Sequence, residues 1–585
     1  MLARLAHRGP DGEHAVAAGP LALGHRHFWT TPEEAGEAQP LSDPPGRFFI
    51  ACDGRIDNRE ELLPALGLAP AERAATSDAA ALLAVYARWG VAGFARVVGA
   101  FAAAVWEVAE RRLTLVRDAL GDRTIYYAMT PEAVVAASEE QAVLAHPAVS
   151  GALDERRIAQ FFALGPLDSD ATFFAAVKEV LPGHALVVEG GRAASVRYWS
   201  AEAVRPLRVA DAREYAEAFR DRLRLAVAAQ VRGGGRVAVM LSGGLDSSAI
   251  AGTAAALAPR PAIAAVSWVF DELPSCDERA WIDPVVRHCG LEALQFAGDG
   301  EWPLREIDLW RRNPNSPEDD LYRRLVERAR ALARSAGCRV LLSGMFGDHL
   351  YAGTHGWFWE RLRGGAPGAA LADAWRAARR GGAGGALAAL LPRRAPAAVR
   401  RIGGAATGRR TWLTRYAAEL LGDAEPWPPS LHGALRPGQH RNVLGLLAAR
   451  GVSGETFHAA SAGIDLRYPF RDRRVVELML RLPSEQLCRP GLTRPVLREA
   501  MRGLLPDQVR TRAGKTSLEA LFRRGVGGRE QAALQRRLAA GVARWERFVN
   551  PAWVAARVPG RCGGDLEELV LCSCVLFDRW LDSEA

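Results

Sequence analysis

Ser242-Gly243-Gly244-Leu245-Asp246-Ser247-Ser248 follows the apolar run Val237 to Leu241 and precedes a helix-compatible stretch from Ala249 to Leu257, so it falls in a strand, loop, helix unit. Two glycines let the backbone come close to an anion. Serine hydroxyls and free N–H groups donate to phosphate oxygens, and the helix that follows points its positive end at them. Asp246 suits a carboxylate that holds Mg²⁺ against those phosphates. The loop lacks the GxxxxGK[ST] pattern of the Walker loop, and no GxGxxG accompanies it.

A second run, Leu341-Leu342-Ser343-Gly344-Met345-Phe346-Gly347-Asp348, again ends an apolar strand in Ser-Gly. In a parallel α/β sheet ligands gather at such carboxyl ends, so Asp348 is expected to face Asp246 across one site. Two carboxylates sharing a metal triphosphate position a leaving pyrophosphate and need no base chemistry of their own. Lys515, in Arg512-Ala513-Gly514-Lys515-Thr516, is one of only two lysines, the other being Lys178, in an arginine-rich chain. A compact ammonium on a flexible stem follows a phosphate through a reaction as a planar guanidinium does not, which makes Lys515 a candidate pyrophosphate contact. Taken singly, each of these runs also fits an ordinary turn.

The elements that must position these groups divide into two patterns. From residue 1 to about 200, short apolar runs alternate with turn signals: Arg47 to Cys52 before Asp53-Gly54, Gly99 to Trp106, Leu113 to Val116, and Ala185 to Val188 before Glu189-Gly190-Gly191. They predict a β-rich, largely antiparallel domain. Beyond Asp211, long helical stretches such as Ala212 to Gln230 and Leu321 to Ala336 alternate with buried strands such as Val340 to Leu342, which predicts an α/β domain. The expected domains are 1–200 and 201–585, with an Ala/Gly/Pro/Arg-rich helical insertion at 361–410. That insertion, whose only acid is Asp373, reads either as a solvated basic face or as a surface for an acidic peptide or partner.

A length of 585 residues with 49% hydrophobic and 24% charged residues places the chain among folded proteins of two or more domains. No run approaches the apolar length of a membrane span, and the start Met1-Leu2-Ala3-Arg4 lacks a signal-peptide pattern, so a cytoplasmic protein without a membrane partner is expected. The eight cysteines lack paired metal spacing and read as reduced thiols, leaving Mg²⁺ as the only implied metal. The net charge is +8, but the arginines of the 361–410 stretch lack interleaved aromatics and no RNA- or DNA-binding motif is present, which argues against a nucleic-acid partner.

The SGGxDS loop resembles the pyrophosphate loop of the N-type ATP pyrophosphatases, which cleave ATP between its α and β phosphates. With the other motifs in place the chain resembles the asparagine synthetase superfamily over nearly its whole length. His7-Arg8-Gly9-Pro10-Asp11-Gly12, Thr76-Ser77-Asp78, Arg117-Asp118-Ala119-Leu120-Gly121 and Gly463-Ile464-Asp465-Leu466-Arg467-Tyr468-Pro469-Phe470-Arg471-Asp472 keep that family's motifs in order and spacing. The resemblance implies an N-terminal glutaminase-like (Ntn-type) β-rich sandwich joined to a C-terminal ATP-pyrophosphatase α/β domain with a parallel sheet. It implies ATP and Mg²⁺ as cofactors, with the metal on Asp246 and Asp348. Nucleotide contacts are implied at Leu241, Ser242, Gly243, Gly244, Asp246, Ser247, Ser248, Phe270, Ser343 and Gly344. Lys515, which follows Leu505-Pro506-Asp507-Gln508-Val509-Arg510-Thr511-Arg512, is implied to stabilise phosphate charge, so Asp246, Asp348 and Lys515 form the expected catalytic set.

The departures bear on the amine. In glutamine-dependent members a cysteine follows Met1 and acts as nucleophile; here Leu2 stands there, a difference that another translation start would also produce. Where the family reads Asn-Gly-Glu this chain has Asp53-Gly54-Arg55, and His27 replaces an arginine that grips the glutamine carboxylate. Arg55 reverses the charge that receives the substrate ammonium, and Asp53 puts a carboxylate where an amide serves the oxyanion hole. Only Asp78 is retained, so the N-terminal domain is expected to be a non-hydrolytic scaffold.

Members without an ammonia supply use another nucleophile: the β-lactam and carbapenam synthetases, and the lasso peptide macrolactam synthetases. Asp53 to Arg59, Thr30-Thr31-Pro32-Glu33, Gln39-Pro40-Leu41 and Cys276-Asp277-Glu278-Arg279 are similar to lasso cyclases; in the last, Ser275 and Glu278 also read as a helix capping box. The function implied is closure of an isopeptide macrolactam between the α-amine and an Asp or Glu side chain of a leader-cleaved precursor peptide, with a leader-binding protein and a protease as further partners. Met345 stands where amide- and lactam-forming relatives place Glu or Tyr, which disfavours β-lactam closure. An α-amine, with a pKa of about 8, needs less help from a base, for which His349, Tyr351 and His355 are candidates. The alternatives are an ammonia-dependent asparagine synthetase, another amide-forming member of the superfamily, or a non-catalytic nucleotide-binding partner.

Overall fold

The computed structural model describes the chain except for residues 165–169, 210, 234, 352–361, 363–366, 373, 376–410, 423–450, 490, 540–543, 562–564 and 583–585. The basic stretch 361–410 therefore lies largely outside the described residues, as does His355.

In the N-terminal half, β1 (Gly12–Ala18) and β2 (Leu21–His27) form a hairpin. A six-stranded antiparallel sheet is built from β3 (Leu41–Ser42), β4 (Phe48–Ile56), β5 (Gly99–Glu107), β6 (Arg112–Arg117), β10 (His184–Glu189) and β11 (Arg192–Arg197), in the order β11-β10-β6-β5-β4-β3. A smaller sheet joins β7 (Tyr126–Met129), β8 (Val134–Ala137) and β9 (Lys178–Glu179). Side chains alternate across β5: Phe101, Ala103 and Val105 pack on the helix Asp78–Trp89, while Ala102 and Ala104 pack toward Tyr127 and Ala136 of the smaller sheet. One difference from the sequence reading is local. Asp53 and Gly54 do not turn the chain after Cys52; β4 runs through them to Ile56. A Cβ on Gly54 would lie 2.5 Å from the Ala100 carbonyl oxygen, so this glycine serves a close strand approach rather than a turn.

The C-terminal half is built on a parallel sheet of β12 (Arg236–Met240), β13 (Ala262–Val269), β14 (Glu292–Ala297), β15 (Val340–Leu342) and β16 (Asp465–Arg467), ordered β14-β13-β12-β15-β16. Its strands are buried on both faces: Val237 and Val239 pack against the helices Ala212–Val231 and Leu245–Ala255, and Ala238 against the helix Arg323–Ser335. The chain steps outward from β12 to β14 and returns to β15 on the other side of β12. That reversal opens a crevice at the carboxyl ends of β12 and β15, where ligands of such sheets bind.

Arginines join the two halves. Arg232 meets Asp78 at 2.6 Å and Glu33 at 3.0 Å, and Arg123 meets Asp465 at 2.7 Å and Asp53 at 3.3 Å. No helix among the described residues is long and apolar enough to cross a membrane. Seven cysteines among the described residues are unpaired, and six of them are buried.

Candidate active site

The loop after β12 is braced by its own serines: the Ser242 N–H donates to Ser247 Oγ at 3.2 Å and the Gly244 N–H to Ser242 Oγ at 3.4 Å. Gly243 has φ +67°, and a Cβ there would sit 2.6 Å from that of Trp281, so the turn requires glycine. Gly244 caps the helix Leu245–Ala255 without a side-chain hydrogen bond. Its first-turn N–H groups are therefore left for an anion. Leu241 is fixed in the sheet, donating its N–H to the Val266 carbonyl at 2.9 Å, and Phe270 is buried just past β13 with its N–H on Asp277 Oδ1 at 3.0 Å. Ser247 is largely buried and Ser248 wholly so, and the Ser248 hydroxyl has no hydrogen-bond partner among the described residues.

At the end of β15 the Ser343 N–H donates to the Arg467 carbonyl at 2.9 Å, and the chain turns through Phe346, a non-glycine residue at φ +70°. Gly347 lets this turn touch the first loop: a Cβ on it would stand 2.6 Å from Asp246 Cγ, and Gly344 lies as close to the Ser247 backbone. Asp246 and Asp348 are thereby brought to one place, as the sequence reading expects. Asp246 is only 8% accessible, and burial pushes its pKa up against the pull of Arg494 and Lys515. Arg494 spans the two acids, with Nη1 2.8 Å from Asp246 Oδ2 and Nη2 against Asp348 Oδ1, and the Lys515 ammonium pairs with the other Asp348 oxygen. Partial burial and the neighbouring Arg494 lower the Lys515 pKa.

Arg494 escapes sequence reading, because one more arginine before a proline carries no signal in so arginine-rich a chain. Arg512 ends the run that precedes Lys515, but its partners are not readable from the sequence. Its guanidinium donates to the Gly243 carbonyl at 3.0 Å and to Thr516 Oγ1 at 2.7 Å, pairs with Glu278 at 2.9 Å and lies over the Trp281 ring. Glu278 is thus taken by Arg512 and makes no capping box with Ser275; the helix Arg279–Cys289 starts without a side-chain cap. Met345 points outward, 47% exposed, and the Tyr351 phenol is buried with its pKa well above the usual value, so neither supplies a base. His349 is exposed beside the Phe346 ring.

The described residues contain no cluster of three or more His, Cys, Asp or Glu suited to a metal. Two carboxylates are present, and the buried Asp246 Oδ1 has no hydrogen-bond partner. That orphaned oxygen, with Asp348 alongside, fits Mg²⁺, which keeps waters and takes its remaining oxygens from a substrate phosphate.

The glutaminase positions lie against a cavity of about 480 Å³ between the halves, lined by His25, His27, Asp53, Arg55, Arg123 and Asp465 among others. Each is engaged. Asp53 pairs with Arg8 at 2.7 Å, Arg55 with Asp57 at 2.5 Å, and His27 with His25 at 2.8 Å between their Nδ1 atoms. Burial lowers the His27 pKa, leaving a neutral ring unsuited to gripping a carboxylate. Asp78, 1% exposed, accepts the Ile56 N–H at 2.9 Å and pairs with Arg59 and Arg232.

Comparison with known proteins follows the same division. The asparagine synthase profile matches residues 218–582 and the glutamine amidotransferase domain profile residues 1–199. Asparagine synthetase [glutamine-hydrolyzing] 3 of Bacillus subtilis is 24% identical over 86% of this chain and 81% of its own length. Amidase chyE of Penicillium rubens is 29% identical over 43% of this chain and 37% of its own length, and a putative glutamine-hydrolyzing asparagine synthetase of Mycobacterium tuberculosis is 29% identical over 43% and 41%.

Proposed function

Because the chain belongs to the asparagine synthase family, we propose that it joins a carboxylate to an amine at the expense of ATP, by way of an acyl adenylate. One observation carries this reading: the phosphate loop, Asp246, Asp348 and Lys515 converge at the carboxyl ends of β12 and β15. A substrate carboxylate oxygen attacks the α-phosphorus, the bond to the β-phosphate bridge breaks, and pyrophosphate leaves. An amine then attacks the acyl carbon, AMP leaves with the former carboxylate oxygen, and the amine proton passes to water. The uncapped helix start at Gly244 cradles the phosphates, and Lys515 offsets charge on the phosphorus in both half reactions. When bound, Mg²⁺ on Asp246 and Asp348 neutralises the departing pyrophosphate.

The relatives named glutamine-hydrolyzing asparagine synthetases favour ordinary amidation, and the ion pairs that occupy Asp53 and Arg55 point to free ammonia rather than glutamine as its source. A second reading is favoured by the ion pairs that occupy Asp53 and Arg55: the amine belongs to the substrate itself, and the product is the macrolactam of a precursor peptide. Under both readings the N-terminal domain is a scaffold. Incubation with ATP and candidate acids, followed by nucleotide analysis, tests the shared step. AMP and pyrophosphate are expected in equal amounts from wild type and neither from Asp246→Asn; ADP as the product would overturn it.

A further inference from the structure

We propose that Arg494 is a resident counter-cation of the two site carboxylates, and that it makes divalent-metal binding depend on nucleotide. The inference rests on the reading of Asp246 and Asp348 as metal carboxylates. These acids come from different loops, and the Arg494 guanidinium joins them, on Asp246 Oδ2 at 2.8 Å and on Asp348 Oδ1. It bridges two carboxylates as a divalent ion would. Its side chain is only 9% exposed, lies over the Tyr351 ring and has Arg498 and Lys515 as its cationic neighbours.

The backbone that delivers it is unusual. Arg494 has φ +57° and ψ +46°, a left-handed conformation costly for a side-chain-bearing residue and further disfavoured before Pro495. It is held there by its N–H on the Leu487 carbonyl at 2.8 Å and by its carbonyl, which accepts the Arg498 N–H at 3.1 Å. The root of the side chain is fixed, so any exchange of partners is made by its own torsions. Strain retained at one point, with the guanidinium aimed at two acids, marks a functional placement.

Electrostatics gives the placement a consequence. A bare divalent ion meets carboxylates already neutralised by Arg494 and, at Asp348, by Lys515. Asp246 Oδ1 is open to it, but to reach Asp348 as well it must displace Arg494 from Oδ1 or Lys515 from Oδ2 and leave that cation short of an anion, which is costly. A triphosphate removes that cost by offering the guanidinium replacement oxygens in bidentate geometry. Metal and nucleotide therefore enter together, and the resting site excludes free divalent ions. Arg494 is in this sense a positioning residue.

The experiment is a titration with Mn²⁺ followed by electron paramagnetic resonance, without nucleotide and with a non-hydrolysable ATP analogue. Without nucleotide, Arg494→Gln is expected to bind Mn²⁺ about tenfold more tightly than wild type, within the usual range of coupling between sites. The gain should vanish in the double variant Arg494→Gln, Asp348→Asn, and wild type should reach the tighter affinity once the analogue is present. Equal Mn²⁺ affinity of wild type and Arg494→Gln without nucleotide overturns the proposal. Should Arg494→Gln fail to fold by circular dichroism, Arg494→Lys carries the comparison: one ammonium does not bridge both acids, so an intermediate gain is expected and no gain overturns it. AMP formation by wild type is scored separately, so the ligase reading and the role of Arg494 fail independently.

Discussion

Lys515 is one of two lysines in the chain, and its ammonium meets Asp348 beside the phosphate loop. If it follows the phosphate through both half reactions, Lys515→Arg should slow single-turnover AMP formation by ~10²-fold, comparable to losing one preorganised donor, with ATP affinity little changed. A rate within about threefold of wild type would remove Lys515 from the chemistry. The residue is legible in the sequence because its type is rare there. Arg494 and Arg512 are not, since their meaning lies in partners some 250 residues away rather than in their type. Glu278 shows the opposite error: its spacing from Ser275 reads as a cap, yet Arg512 offers a charged partner that a local hydrogen bond does not match.

The segment that carries Lys515 is held to the phosphate loop by a clasp. Arg512 ties it to Gly243 and Glu278 and braces it internally on Thr516, and Arg498 binds the carbonyls of Arg510 at 2.6 Å and Arg512 at 2.8 Å. Arg512→Leu and Glu278→Gln should each raise the KM for ATP by roughly tenfold, and the double variant should cost no more than the worse single one, because both break one unit. Additive losses would dissolve the clasp. A second element reports on pH. Asp320, just before the helix Arg323–Ser335, has a pKa pushed up to about 7 by burial, the Glu455 carboxylate and Asp319. A raised acid stabilises the fold fully below its unfolded pKa of about 4 and loses that contribution as pH rises through 7. Asp320→Asn, which keeps an acceptor for the Tyr322 N–H, should therefore raise Tm at pH ~8 and leave it unchanged at pH ~4. Thermal unfolding at both values checks this, and an equal shift at both would contradict it. The helices around this site and the parallel strands are legible from their periodicity. The path of β4 through Asp53 and Gly54 is not, because a strand glycine chosen for close approach looks like a turn glycine.

At the scale of the molecule, the two halves are joined through buried charge. Although burial opposes it, Arg123, Arg467 and Arg55 hold the Asp465 carboxyl well below the usual carboxylate range, and Arg123 carries the network on to Asp53. Arg123→Leu should lower stability by about 3 kcal/mol, the low end for stranding a buried carboxylate, because Arg467 stays 2.7 Å from Asp465. Chemical denaturation measures it; a loss near zero would mean that the halves are held by other contacts. The existence of two halves is readable from a change of pattern near residue 200, but their interface is not, since Arg123 and Asp465 are far apart in sequence. The same network occupies the positions that would bind glutamine, which is why the amine is assigned to another source.

The phosphate loop, Asp246, Asp348 and Lys515 all serve the acyl adenylate, and oxygen transfer reports that step directly. A substrate acid labelled with heavy oxygen in its carboxylate is incubated with ATP and glutamine, using in turn a synthetic peptide with a free α-amine and an Asp or Glu side chain, and aspartate with added ammonia. One heavy oxygen is expected in the phosphate of AMP, with amide product in equal amount and no glutamate from glutamine. Label in inorganic phosphate together with ADP, or glutamate released in step with AMP, would contradict it.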